Sequence, residues 1–194
     1  MTDSPSLIRS VCVYCGSSPG TNGAYVESAA LLGKTLAQAG IRLVYGGGDS
    51  GLMGAAARGA LSVGGKVTGI IPEFLVQLEQ SKGTVGLDGA EMVVVPDMHT
   101  RKQKMFEQAD AFVALPGGIG TLEELVEIMT WAQLGRHMKP MGVLNTDDFW
   151  SPLLSLLDHM ESSGFLHNPE RTALHISPDP EALVQDLTGL ELTA

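Results

Sequence analysis

Positive charge is scarce in this chain of 194 residues: 12 lysines and arginines stand against 22 aspartates and glutamates, a formal charge of −10 at neutral pH. Such a surface repels polyanions, which excludes sequence-independent binding to nucleic acid or to an anionic membrane. Any anionic ligand must therefore be met by local groups. Long apolar runs are missing as well. No stretch approaches the roughly eighteen apolar residues of a membrane span, and Met1-Thr2-Asp3-Ser4-Pro5-Ser6 has neither the basic start nor the apolar run of a secretory leader, so a cytoplasmic location is expected. Cysteine occurs only at Cys12 and Cys15. Their C-x-x-C spacing invites a redox or zinc reading, but they lie in the apolar run Val11-Cys12-Val13-Tyr14-Cys15. There a spacing of three sends the side chains to opposite faces of a strand, and zinc would need two further ligands. The histidines, at 99, 137, 159, 167 and 175, show no H-x-x-x-H spacing, and no catalytic triad is indicated. Neither a metal nor an organic cofactor is expected.

What is present is a hydrophobic share of 44%, enough for one substantial core, so residues 1–194 are expected to form a single domain. Short apolar or β-branched runs recur at 9–15, 41–45, 66–71, 91–95, 110–115, 141–145 and 172–176, with helical patterns between them. This alternation predicts an α/β fold: a central parallel sheet of about seven strands, covered by helices on both faces. One helix is predicted from Ala24 to Ala39, closed by Gly40; another carries Leu153, Leu154, Leu156 and Leu157. Residues 81–90, rich in glycine and polar groups, are a candidate lid. Ligands of open parallel sheets sit beyond the C-terminal ends of the strands, which directs attention to the four segments that follow strands.

The most telling of these is Pro116-Gly117-Gly118-Ile119-Gly120-Thr121, which follows a strand and enters a helix predicted to start near Leu122. Glycines there let backbone N–H groups approach an anion at the positive end of the helix, as in a phosphate cradle. Thr121-Leu122-Glu123-Glu124 also reads as a T-x-x-E capping box, which would make Glu124 a helix cap. A carboxylate beside an anion site is unfavourable unless it serves another part of the ligand or meets a cation. Arg101, Lys102 and Lys104 supply cations just after the strand ending at Val95, with Arg101 the best suited to bidentate contacts. Gly46-x-Gly48-x-x-Gly51 matches the dinucleotide fingerprint, with Glu73 as its acid downstream, but on the second strand; it is read as the wall of a mononucleotide site that includes Gly47 and Gly48. Cys15-Gly16-Ser17-Ser18 offers small and hydroxyl residues, Ser17 among them, where ligand could pass close to backbone. His99 is as readily a surface or capping group as a catalytic one.

Taken together, these segments resemble the LONELY GUY family of cytokinin riboside 5′-monophosphate phosphoribohydrolases. Residues 116–124 fit its PGGxGTxxE motif, Met98-His99-Thr100-Arg101-Lys102 its Arg-Lys segment, and Tyr45-Gly46-Gly47-Gly48 with Gly51-Leu52-Met53-Gly54 a third signature. The resemblance runs from about Arg9 to about Phe165, with extra residues around Leu87 to Ala90. It implies a Rossmann-like three-layer sandwich, a homodimer or larger homo-oligomer, and hydrolysis of a nucleoside 5′-monophosphate to free base and ribose 5-phosphate. It also implies that Arg101 and Glu124 are the catalytic pair, and that Met98, Lys102, Gly117, Gly118, Ile119, Gly120, Thr121, Leu122, Glu123, Thr130 and Glu79 bind the nucleotide, AMP or an N6-prenylated AMP. Proteins of this type are often labelled lysine decarboxylases, but no set of residues for a pyridoxal cofactor is present. Two other classes compete: a nucleotide-binding regulator without catalysis, and an NAD(P)-dependent oxidoreductase built on Gly46 to Gly51.

Overall fold

The computed structural model describes residues 8–80 and 87–189, with 78–80 described by backbone alone. The strands are β1 (Ser10–Tyr14), β2 (Arg42–Tyr45), β3 (Val67–Pro72), β4 (Glu91–Val95), β5 (Ala111–Ala114), β6 (Met141–Leu144) and β7 (His175–Ser177). The helices are α1 (Gly23–Gln38), α2 (Gly51–Leu61), α3 (Glu73–Gln80), α4 (Met98–Glu107), α5 (Ile119–Gln133), α6 (Ser151–Ser162), α7 (Pro169–Thr172) and α8 (Pro180–Thr188), with a 3₁₀ turn at Thr146–Asp148. The strands form one parallel sheet in the order β4-β3-β2-β1-β5-β6-β7. The predicted α/β architecture, with seven strands between two helical layers, is the one observed.

Both faces of the sheet are covered, which is why β1, β3, β5 and β6 are buried along their whole length. One core joins Leu43 and Tyr45 of the sheet to Leu32 and Leu36 of α1, Leu52 of α2 and Val184 of α8. The other joins Cys12, Val44 and Phe112 to Met105 of α4 and Leu125 and Ile128 of α5. Cys12 and Cys15 thus face opposite layers, as their spacing predicts, and both thiols are buried and free.

The chain adds strands outward from β1 to β4, then returns to place β5 on the other side of β1. That reversal opens a crevice between the C-terminal ends of β1 and β5, the position where open α/β sheets receive ligands.

Three local readings are corrected. The last strand is His175–Ser177 instead of 172–176, because Pro169, with its fixed φ, starts the helical turn of α7 up to Thr172. Helix α5 begins at Ile119, not near Leu122, because Gly118 takes the extended conformation of an N-cap (φ −91°, ψ −160°). Thr121 is therefore the third residue inside the helix and Glu124 lies a turn further on, so no capping box forms. Of the candidate lid, residues 81–86 lie outside the described residues.

Candidate active site

Two loops line the crevice. Gly16 N–H donates to the carbonyl of Pro116 at 3.1 Å, which ties the loop after β1 to the loop after β5. Leu52 N–H donates to the Gly16 carbonyl at 3.0 Å, drawing in the start of α2. Between them lies a cleft of about 240 Å³ lined by Gly16, Ser17, Ser18, Leu52, Gly117 and Gly118, and walled by Tyr25 and Phe149, whose rings meet edge to face at 5.9 Å. Of the expected ligand contacts, Ser17, Gly117 and Gly118 line this cleft. Tyr25 and Phe149 come from α1 and from the segment after β6, and no local pattern marks either.

The glycines of the 117–120 run differ in their reasons. A Cβ at Gly117 would collide with the Thr121 side chain and with the backbone of Gly16, so packing alone requires glycine there. At Gly118 and Gly120 a Cβ would meet nothing within 4 Å. The protein itself has no steric need of these two, and the space they leave lies over the first turn of α5. There the N–H groups of Ile119, Gly120 and Thr121 have no acceptor within the helix, and the helix dipole is positive. Ile119 projects outward, 81% exposed, while Thr121 is buried and Leu122 half-buried.

Glu124 and Arg101 meet beside this turn. Arg101, in the first turn of α4, donates from Nε to the carbonyl of Ile70 at 3.2 Å, and its Nη1 stands 3.4 Å from Glu124 Oε1. Asp97 caps α4 by accepting the N–H of Thr100 at 2.7 Å. The guanidinium lies against Gly46, where a Cβ would run into it. Gly46 is thus the seat of the arginine, a residue that sequence reading left out of the site although it opens the triple glycine. Gly47 and Gly48 are buried behind it, Gly47 with the left-handed φ of +81°. Gly51, also left-handed at +56°, lies against the backbone of Ser17 and Ser18, so the fingerprint-like glycines have close-packing roles of their own.

Burial decides the protonation of Glu124. Only 9% exposed, its carboxyl is pushed up from about 4.5 to about 7 by desolvation, which outweighs the opposing pull of Arg101. The same burial, with Glu124 nearby, pushes the thiols of Cys12 and Cys15 far up, so neither is a thiolate near neutral pH.

The remaining predicted residues lie on α3, α4 and α5. Lys102 reaches Glu123 at 2.7 Å and Glu127 at 3.0 Å, so two of the expected ligand contacts, Lys102 and Glu123, are bonded to each other. Met98 opens α4, with its sulfur 3.9 Å from Arg101 Nη1. Thr130 is exposed, about three turns along α5, and donates its hydroxyl to the Val126 carbonyl; its face of the helix is not that of Glu124. Glu79 lies in α3. His99 and Lys104 are exposed, and Glu73 opens α3 at the surface. Among the described residues, no group of three or more His, Cys, Asp or Glu is placed to hold a metal ion.

Residues 53–187 match the family model described as "possible lysine decarboxylase". The chain is 47% identical over 182 residues to the probable cytokinin riboside 5′-monophosphate phosphoribohydrolase LOGL2 of Oryza sativa subsp. japonica, covering 94% of this chain and 73% of the relative. It is 44% identical over 191 residues to the cytokinin riboside 5′-monophosphate phosphoribohydrolase LOG7 of Arabidopsis thaliana, covering 98% and 86%. Among solved structures, the protein TM1055 superposes with a TM-score of 0.72 at 24% identity, covering 94% of this chain and 99% of that one. The molybdenum cofactor carrier protein of Chlamydomonas reinhardtii does so with 0.66 at 20% identity, covering 93% and 98%. At such identities the likeness to these two is one of fold.

Proposed function

The chain belongs to the LONELY GUY family of cytokinin riboside 5′-monophosphate phosphoribohydrolases, and from that premise we propose how its crevice carries out the reaction. The enzyme hydrolyses the N-glycosidic bond of a nucleoside 5′-monophosphate and releases the free base, a cytokinin, with ribose 5-phosphate. The substrates we assign are AMP and its N6-prenylated forms. The observation that carries the mechanism is the buried Arg101–Glu124 pair standing beside the open first turn of α5.

The 5′-phosphate sits over Gly118 and Gly120 and accepts from the first N–H groups of α5, where neither glycine presents a side chain. This anchors one end of the nucleotide, so binding energy remote from the reacting bond positions the ribose over Glu124. As the C1′–N9 bond breaks, positive charge develops on the ribose and negative charge on the base. The Glu124 carboxylate stabilises the first and takes a proton from the attacking water; the water oxygen bonds to C1′, and the proton leaves with the base. A carboxyl that titrates near 7 suits both halves of that transfer. Arg101, held by Ile70 and seated on Gly46, neutralises charge on the departing base or on the ribose phosphate.

The finer reading is a homodimer in the cytoplasm. Ile119, Val126 and Leu134 form an exposed apolar stripe along α5, and Met138 beyond it is 89% exposed, a surface suited to a second copy. No helix among the described residues is long and apolar enough to cross a membrane.

Incubation with AMP and with N6-isopentenyl-AMP, followed by chromatography, tests the assignment. Free base and ribose 5-phosphate are expected in equal amounts. Binding without release would leave a nucleotide-binding regulator, and tight NAD(P) binding without release would return the oxidoreductase reading.

A further inference from the structure

Gly118 belongs to two places at once: the open first turn of α5, over which the phosphate is placed above, and the cleft walled by Tyr25 and Phe149. Glu124 and Arg101 do not line that cleft. It therefore opens from the phosphate end of the nucleotide, away from the bond that breaks. Whatever extends a 5′-phosphate, a second phosphate first of all, enters it.

The lining is chemically one-sided. Pro19, Pro116, Leu52 and the two rings face the cleft, and among the described residues that line it there is no lysine, arginine or histidine. The arginines of the adjoining elements are engaged elsewhere, Arg101 with Glu124 and the Ile70 carbonyl, and Arg58 with Asp49. Next to Phe149 in the chain stand two acids, Asp147 and Asp148, both exposed. A monophosphate meets the N–H groups of α5, whereas a second phosphate would reach apolar rings with no cation to receive it. Charge brought against apolar surface without a partner is strongly unfavourable.

The wall is held from several sides. Asn22 caps α1 by accepting the N–H of Ala24 at 3.0 Å and donates from Nδ2 to Asp147 Oδ2 at 2.9 Å, which ties the two segments together beside their ring contact. Phe149 is backed by Trp150, edge to face at 5.0 Å, and the Trp150 backbone N–H donates to Asn145 Oδ1 at 2.7 Å. Asp147 and Asp148 both take left-handed φ values, +52° and +55°. Two successive residues other than glycine in that region persist only where the surrounding structure imposes them, and such backbone gathers at ligand sites. Here it delivers the ring of Phe149 to the cleft.

We propose that Tyr25 and Phe149 are specificity-determining residues that confine the substrate to 5′-monophosphates: they close the cleft beyond the phosphate turn with apolar rings and no cation. This rests on the phosphate position assigned above.

The test compares AMP with ADP in the full-length protein by release of adenine, read as the ratio of the two kcat/KM values, so that a loss common to both substrates cancels. Wild type is expected to favour AMP by about 100-fold or more. Phe149→Ala lets water reach the second phosphate and should narrow the ratio about 3- to 10-fold. Phe149→Arg places a cation at the wall and should narrow it about 10- to 100-fold. Tyr25→Arg approaches the same space from α1 and keeps the test open should Phe149→Arg fail to fold. Tyr25→Phe preserves the wall and should hold the wild-type ratio.

Equal kcat/KM values for AMP and ADP in the wild type overturn the proposal, as does a ratio that neither arginine variant narrows. A Phe149→Ala variant that shifts the preference between AMP and N6-isopentenyl-AMP, with the ratio of AMP to ADP unmoved, would put the base in the cleft and overturn it too. If no nucleotide releases base, the hydrolytic reading fails, and the same ratio taken from dissociation constants by calorimetry decides the role of the wall.

Discussion

Glu124 carries two opposed demands. In the proposed reaction it must be ionised to stabilise a cationic ribose, yet burial favours its protonated form and Arg101 only partly offsets this. Glu124→Gln keeps the shape and removes the charge. Turnover should fall by about 10²- to 10⁴-fold, the usual contribution of a positioned acid–base group, while AMP still binds by calorimetry. Near-normal turnover would return the residue to a structural role. In the wild type, kcat/KM should rise with pH through about 7 as the carboxyl of the free enzyme ionises, and a profile flat from pH 5.5 to 8.5 would remove it from the chemistry.

Under the proposed reading, helix α5 and the loop before it separate what binding needs from what folding needs. Gly117 is held by contact with Thr121 and Gly16, whereas Gly118 and Gly120 face open space. Gly117→Ala should therefore cost roughly 1–3 kcal/mol of stability by overpacking. Gly118→Ala has an ordinary φ of −91° and no neighbour to displace, so its stability should change by no more than about 0.5 kcal/mol. Its KM for AMP should nonetheless rise about 10-fold, as expected where a methyl intrudes on a charge-assisted phosphate contact worth about 1.4 kcal/mol. Denaturant unfolding and steady-state kinetics on the pair check this; equal effects on both measures would mean that no phosphate lies over the turn.

For the molecule as one cooperative unit, the raised titration of Glu124 becomes a dependence of stability on pH. The folded chain holds this proton more tightly than the unfolded chain does. Its contribution to stability is therefore complete below about pH 4.5 and declines as pH rises, ending above about 7. Measured as the difference between wild type and Glu124→Gln, the decline amounts to at most about 3 kcal/mol, and thermal unfolding at pH 4 and pH 8 would show it. A difference independent of pH would contradict the burial assigned to Glu124. Assembly is tested separately. If the proposed homodimer forms, replacing Leu134 or Met138, both exposed, with glutamate should shift sedimentation from dimer to monomer; a monomeric wild type would overturn the dimer, and an unaltered dimer would place the interface elsewhere.

Much of this was legible in the residues alone because the signals are local. Apolar runs between helical patterns predict strands buried on both faces, and a strand followed by glycines and a helix predicts an anion cradle whatever surrounds it. The three-residue spacing of Cys12 and Cys15 already separated them, since side chains alternate along a strand. Two readings failed where local patterns were ambiguous. T-x-x-E fits a capping box, but Gly118 had already taken the cap; residues 172–176 look like a strand, but Pro169 turns their start into helix. Other features arise from distance in sequence. Gly46 becomes a seat because Arg101, 55 positions on, folds back across β3 to reach it. Tyr25 and Phe149 wall the cleft because β5 returns beside β1 and brings β6 with it. Whether Glu124 is a cap or a buried acid paired with arginine depends on which groups exclude water from it, and those groups come together only when the sheet closes.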